Sequence, residues 1–107
     1  MGDRISISFK NGEEESISLF SHWDGMSLVK NAKEYVKALK KTLEEDERSG
    51  GTLTGGPTGR MEPNTIMVDF VRWRTRNLPI IDGNYYFGKD GTEGDNSDNG
   101  HHVIKLG

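Results

Sequence analysis

Apolar and polar residues alternate from Ile5 through Ile7 to Phe9, and after Asn11-Gly12 the alternation returns at Ile17 and Leu19. A period of two marks strands with one buried face, and Asn-Gly between two such runs marks a hairpin. A two-residue turn on Asn11-Gly12 sets Ile17 on the face opposite Ile5, Ile7 and Phe9. A three-residue loop, with Gly12 left-handed in a bulge, pairs Phe9 with Glu13, Ile7 with Glu15 and Ile5 with Ile17. It gathers the apolar set on one face, so the bulged loop is expected.

The period then lengthens. Ser27 reads as an N-cap, and Leu28, Val29, Ala32, Tyr35, Val36, Leu39 and Leu43 follow at steps of one, three and four. That spacing predicts an amphipathic helix ending near Arg48, with Lys30, Lys33, Lys37, Lys40 and Lys41 on its outer face. The acidic run Glu44, Glu45, Asp46 and Glu47 opposes the helix dipole and predicts a frayed last turn. Residues 63–76 contain good strand formers, but the helical wheel sorts them better. Ile66, Met67, Phe70, Val71, Trp73 and the stem of Arg74 share one face, Thr65, Asp69 and Arg72 share the other, and Val68 alone is misplaced. With Pro63 suited to a first helical position, a helix is predicted here.

Five glycines and a proline without periodicity predict a mobile loop over 49–62. It is not a phosphate-binding loop, because Pro57 and Thr58 stand where a Lys and a Ser or Thr are required. After Leu78-Pro79, the segments 84–89 and 101–106 read as strands. The order β-β-α-α-β-β predicts a single α+β domain over 1–107, a mainly antiparallel four-stranded sheet from two hairpins with two helices on one face. Its expected core is Ile5, Ile7, Ile17, Leu19, Val29, Ala32, Val36, Leu39, Ile66, Phe70 and Val71.

Composition narrows the function classes. Lack of cysteine excludes disulfides, thiolate metal sites and a cysteine nucleophile. No apolar run is long enough for a membrane span or signal peptide, so a cytoplasmic protein without a membrane partner is expected. The net charge of −3 names no partner, yet the charges are segregated into acidic blocks and the basic stretches 30–41 and 72–76.

The loop 88–102, GKDGTEGDNSDNGHH, holds the most pointed chemistry. Asp90, Glu93, Asp95, Ser97, Asp98 and Asn99 are oxygen donors among turn-forming glycines, the composition a hard cation needs, and Ca²⁺ is the candidate ion for a weak site. Asp95, Ser97, Asn99 and Gly100 resemble the first half of an EF-hand loop, but His102 and Leu106 stand where the second half needs an apolar residue and a bidentate acid. A solvated turn has the same composition. His101 and His102 are adjacent, so a strand sends them to opposite faces, and His22 lies in a separate connector. Ser, His and Asp are all present for a hydrolase, but without a nucleophile elbow. The expected function is therefore a small non-catalytic interaction or ligand-binding module using this loop, with an unknown protein or small molecule as partner. The alternative is nucleic-acid binding through Arg72, Arg74 and Arg76 with Lys30, Lys33 and Lys37, which a pI near 5.6 disfavours. A small hydrolase ranks third.

Overall fold

The structure, a computed structural model, describes residues 3–48, 62–78 and 83–106. The elements are β1 (Ile5–Asn11), β2 (Glu14–Glu15), β3 (Ser18–Ser21), α1 (Met26–Arg48), α2 (Pro63–Arg74), β4 (Tyr85–Gly88) and β5 (His101–Lys105). This is the expected α+β order. The glycine-rich stretch with Leu53, and Pro79, fall outside the described residues.

The first hairpin takes a register different from either geometry considered. Lys10 pairs with Glu15 and Asn11 with Glu14 around Gly12-Glu13, where Gly12 has φ 63°. Pairing resumes at Ile7 with Leu19 and Ile5 with Ser21, so the returning strand carries one extra residue between β2 and β3. Ser16 occupies this bulge. Its backbone N–H donates to Phe9 O at 2.8 Å, and its hydroxyl accepts from the Phe9 N–H at 2.9 Å, so both strand groups that the bulge disrupts find partners. The bulge turns Ile17 outward to 40 % exposure, which corrects its expected place in the core. Its N–H donates instead to Asn64 Oδ1 on α2.

β1 is flanked by β3 on one side and β5 on the other, and β4 extends the sheet beyond β3. The last two strands do not pair with each other: β5 runs parallel to β1, with Ser6 opposite His101 and Lys10 opposite Lys105. β4 lies antiparallel to β3 at the far edge. Residues 89–100 therefore cross the sheet instead of turning a hairpin.

Both helices cover one face. Ile5, Ile7, Phe9 and Leu19 of the sheet meet Leu28, Val29, Ala32, Tyr35 and Val36 of α1 and Ile66, Met67 and Phe70 of α2, with Ile104 and Leu106 closing the β5 side. Phe9, Tyr35 and Phe70 meet edge to face, centroids 5.4 to 6.3 Å apart, the geometry that aromatic quadrupoles favour. Leu39 and Val71 pack at the margin. Val68, the misfit of the wheel, is exposed. α1 begins at Met26, one residue before the expected cap; the Ser27 hydroxyl donates back to Asp24 O. No helix among the described residues is long and apolar enough to cross a membrane.

Candidate functional site

The strap of residues 89–100 lies on the sheet face away from the helices. Strand register lines up His101, Ser6, Phe20 and Tyr86 across four strands on that face. The strap follows this row. Asn96 Nδ2 donates to Ser6 Oγ at 2.9 Å and to Gly91 O at 2.8 Å, while the Asp95 N–H donates to Tyr86 Oη at 2.8 Å. A Cβ on Gly94 would stand 2.8 Å from the Phe20 ring and one on Gly91 2.7 Å from the His101 ring, so glycine is what lets the backbone lie this close.

The expected cation ligands are held by this folding. Asp90 Oδ1 accepts from the Thr92 N–H and hydroxyl, Glu93 Oε1 from the Lys89 N–H, and Asp95 Oδ1 from the Ser97 N–H and hydroxyl. Asp95 Oδ2 pairs with Arg4 Nε at 3.1 Å, Asp98 Oδ2 accepts from the Arg4 N–H at 3.0 Å, and Asn99 donates to Arg4 O. Hydrogen bonds from Thr92 lower the Asp90 carboxyl below its ordinary range, and those from Ser97, helped by Arg4, lower Asp95. These oxygens turn toward separate local donors. Among the described residues no three His, Cys, Asp or Glu side chains are grouped to hold a metal.

Beneath the strap the sheet carries a polar network that alternation alone did not disclose. His101 Nδ1 lies 2.6 Å from Ser6 Oγ, and its Nε2 lies 3.2 Å from Ser8 Oγ and 3.7 Å from Glu15 Oε2. Ser8 also donates to Glu15 at 2.6 Å. A carboxylate, an imidazole and a hydroxyl in this order have the composition of a hydrolytic triad. Both serines are fully buried, however, and Ser6 is also held by Asn96, so no hydroxyl is presented to a substrate. His102 points to the other face, as expected, and bonds Asn99 O.

The arginines of the nucleic-acid alternative are engaged within the fold. Arg74 pairs with Asp24 at 3.3 Å and lies over the Tyr85 ring, Arg72 pairs with Asp69 at 2.7 Å, and Arg76 covers Trp73 and donates to its carbonyl. Asp24 is a hub, since Tyr85 Oη and Asn84 Nδ2 also donate to it. Asn84 Oδ1 accepts in turn from Ser21 Oγ and the N–H groups of His22 and Trp23.

The lysines behave differently. Lys33, Lys37 and Lys40 of α1 converge with Lys105 of β5 on a groove of about 470 Å³ whose apolar lining is Val36, Val103 and Ile104. None of these four ammonium groups is ion-paired with a described residue, whereas every arginine of α2 has a partner. Lys30 is exposed and does not line the groove. The other flank of α1, with Glu34, Tyr35 and Leu39, faces Asp69 and Trp73 of α2, so the basic stretches do not merge into one surface. Lys33 and Lys37 were legible in sequence as basic side chains on one helix. Lys105 and Val103 were not, because only the parallel pairing of β5 with β1 brings them beside α1. The chain finds no match among protein-family models, curated proteins or solved structures.

Proposed function

We propose that this protein is a non-catalytic interaction module whose binding surface is the groove between α1 and β5, and that the ligand it takes is anionic. The observation that carries the reading is that Lys33, Lys37, Lys40 and Lys105 line one groove and have no ion-pair partner among the described residues, in a chain of net charge −3 whose α2 arginines are both engaged. Three lysines along one flank of α1, with Lys105 on the neighbouring strand, raise the local potential, favouring encounter with a negatively charged partner despite the overall charge. The strap supports the reading from the other side. Its oxygen donors serve its own backbone and Arg4, and its underside seals the Ser6-His101 row, so it serves as a structural cover. Burial of both serines supports placing the function in binding rather than hydrolysis.

The test is an amide NMR titration of the ¹⁵N-labelled chain with oligoglutamate at low salt. Saturable shifts confined to the segments of Lys33 to Lys40 and Val103 to Lys105, lost in the double variant Lys33→Glu/Lys37→Glu, are expected. Small shifts spread over all basic residues, unchanged in that variant, would overturn the reading.

A further inference from the structure

The groove has a second property besides its charge, and it concerns the backbone. β5 has β1 as its sole strand partner among the described residues. Ser6 N–H donates to Gly100 O, and Leu106 N–H donates to Lys10 O. In a parallel ladder only alternate residues turn both backbone groups toward the neighbouring strand, so these two bonds fix the phase. His102 and Ile104 face β1. Val103 and Lys105 direct their N–H and C=O groups away from it, along the edge that lines the groove.

Resting on the reading of the groove as an anion-binding surface, we propose that its partner is an extended acidic protein segment that adds to the open edge of β5 as a further strand, with alternate carboxylates reaching the lysines of α1. The spacing suits this occupant. Lys33 and Lys37 are four residues apart, which is about 6 Å along a helix axis, and side chains on one face of a strand recur about every 6.8 Å. Two acidic residues separated by one therefore match the spacing of the two lysines. The residue between them turns to the other side, where Val103 stands 41 % exposed.

Charge also decides between occupants. A second copy of this chain pairing edge to edge would bring Lys105 and its own α1 lysines against the same groove, a like-charge arrangement that edge lysines commonly enforce against self-association. Nucleic acid would find phosphate contacts here, but none of the described residues lining the groove is aromatic, and Trp73 lies on the other flank of α1 under Arg76. An acidic strand uses both the lysines and the outward backbone groups of β5, which have no strand partner among the described residues.

The test compares two synthetic peptides of alternating Glu and Val, one ordinary and one N-methylated at alternate residues to remove its edge-facing donors, with single-stranded oligoadenylate RNA as a third probe. The ordinary peptide is expected to slow hydrogen exchange at the Val103 and Lys105 amides, and the methylated peptide to bind at least about tenfold more weakly, through loss of two or more hydrogen bonds. Val103→Pro keeps the ladder to β1, because the N–H it removes faces outward, and should weaken the ordinary peptide in the same direction through loss of one of those bonds. Should Val103→Pro fail to fold, the methylated peptide still decides. Equal binding of both peptides, with Val103 and Lys105 unprotected, would overturn strand addition while leaving an anion-binding groove. RNA in the groove with peptides excluded would overturn the partner class. No response of the groove to any of the three probes would overturn the module reading as well. Dimerisation of the free chain through β5 would overturn the argument from like charge.

Discussion

Phe20 and Tyr86 are register partners on adjacent strands, and their rings stack 5.0 Å apart with planes only 7° from parallel. Gly94 of the strap closes over this pair. A Cβ there would stand 2.7 Å from Tyr86 Oη and 2.8 Å from two atoms of the Phe20 ring. Phe20 is fully buried and stacked, so it has little freedom to give way. Gly94→Ala is expected to cost about 1 to 3 kcal/mol by overpacking. Gly83→Ala, where a Cβ meets nothing within 4 Å, should be nearly neutral. Urea unfolding of both variants checks the contrast, and equal midpoints would mean that the strap is not seated on the ring pair.

The core makes a similar demand at Phe70, which is fully buried and meets Phe9 at 5.5 Å and Tyr35 at 5.4 Å. Phe70→Ala should cost about 3 to 5 kcal/mol. Val68→Ala, two residues away and on the exposed side of the helix, should stay within about 0.5 kcal/mol. Thermal unfolding of the pair measures the difference directly.

Asp24 joins a loop, a helix and a strand through Arg74, Tyr85 and Asn84, and its side chain is 11 % exposed. Asp24→Ala leaves the Arg74 guanidinium, 25 % exposed, without its carboxylate. We expect a loss of about 2 kcal/mol or more, because an unpaired partner left in a nearly buried network costs more than the pair itself contributes. A double-mutant cycle with Arg74→Ala should show coupling well above the few tenths of a kcal/mol of an exposed pair. Additive losses would remove the hub.

Tyr35 supplies an alkaline signature. Burial, then its 2.5 Å hydrogen bond to Asp69 and that carboxylate's charge, push its hydroxyl pKa well above the ordinary value of 10.0. The folded state thus holds a proton that the unfolded state releases more readily. The resulting stability is fully present below pH 10.0 and is lost as pH rises beyond it. Phenolate absorbance should report a tyrosine that ionises only with unfolding, and Tyr35→Phe should abolish that late step.

The strap has the opposite dependence. Asp90 and Asp95 are lowered from 3.8, so their stabilising bonds to Thr92 and Ser97 persist above that pH and are lost as pH falls through the lowered values. Protection of the Thr92 and Ser97 amides, measured against their intrinsic exchange rate at each pH, should fall in acid while that of Ile7 is retained. Protection at Thr92 and Ser97 that did not respond to acid would show the two carboxylates to be idle.

The elements that follow from periodicity were legible in the residues themselves. Ile5, Ile7 and Phe9 announce β1, the 3.6-residue spacing of Leu28 to Leu43 announces α1, and the sorting of Ile66, Met67 and Phe70 from Asp69 and Arg72 announces α2. Pairing was less legible, because it depends on how separate segments meet. The bulge at Ser16 is fixed by reciprocal bonds between its backbone and hydroxyl and Phe9, while the alternating pattern fits several registers. Ile17 was misplaced for that reason. The loop 88–102 has the composition of a turn and of a cation site alike, and composition did not show that its glycines permit close packing across Phe20 and His101. Ser6 and Ser8, the polar positions of that alternating strand, are fully buried beneath that crossing.

The parallel partnership of β1 with β5 also imposes an order in time. Ser6 and His101, neighbours in the sheet, are 95 positions apart. At translation rates of about 5 to 20 residues per second, roughly 5 to 20 s separate their synthesis. Throughout that interval β1 has an open edge on the side that β5 will fill, and the buried Ser6-Ser8 face lacks its cover. The sheet cannot be completed locally, so folding must close a long loop entropically before its last ladder forms. The nascent chain is most exposed to mispairing on the strand its own sequence announces first.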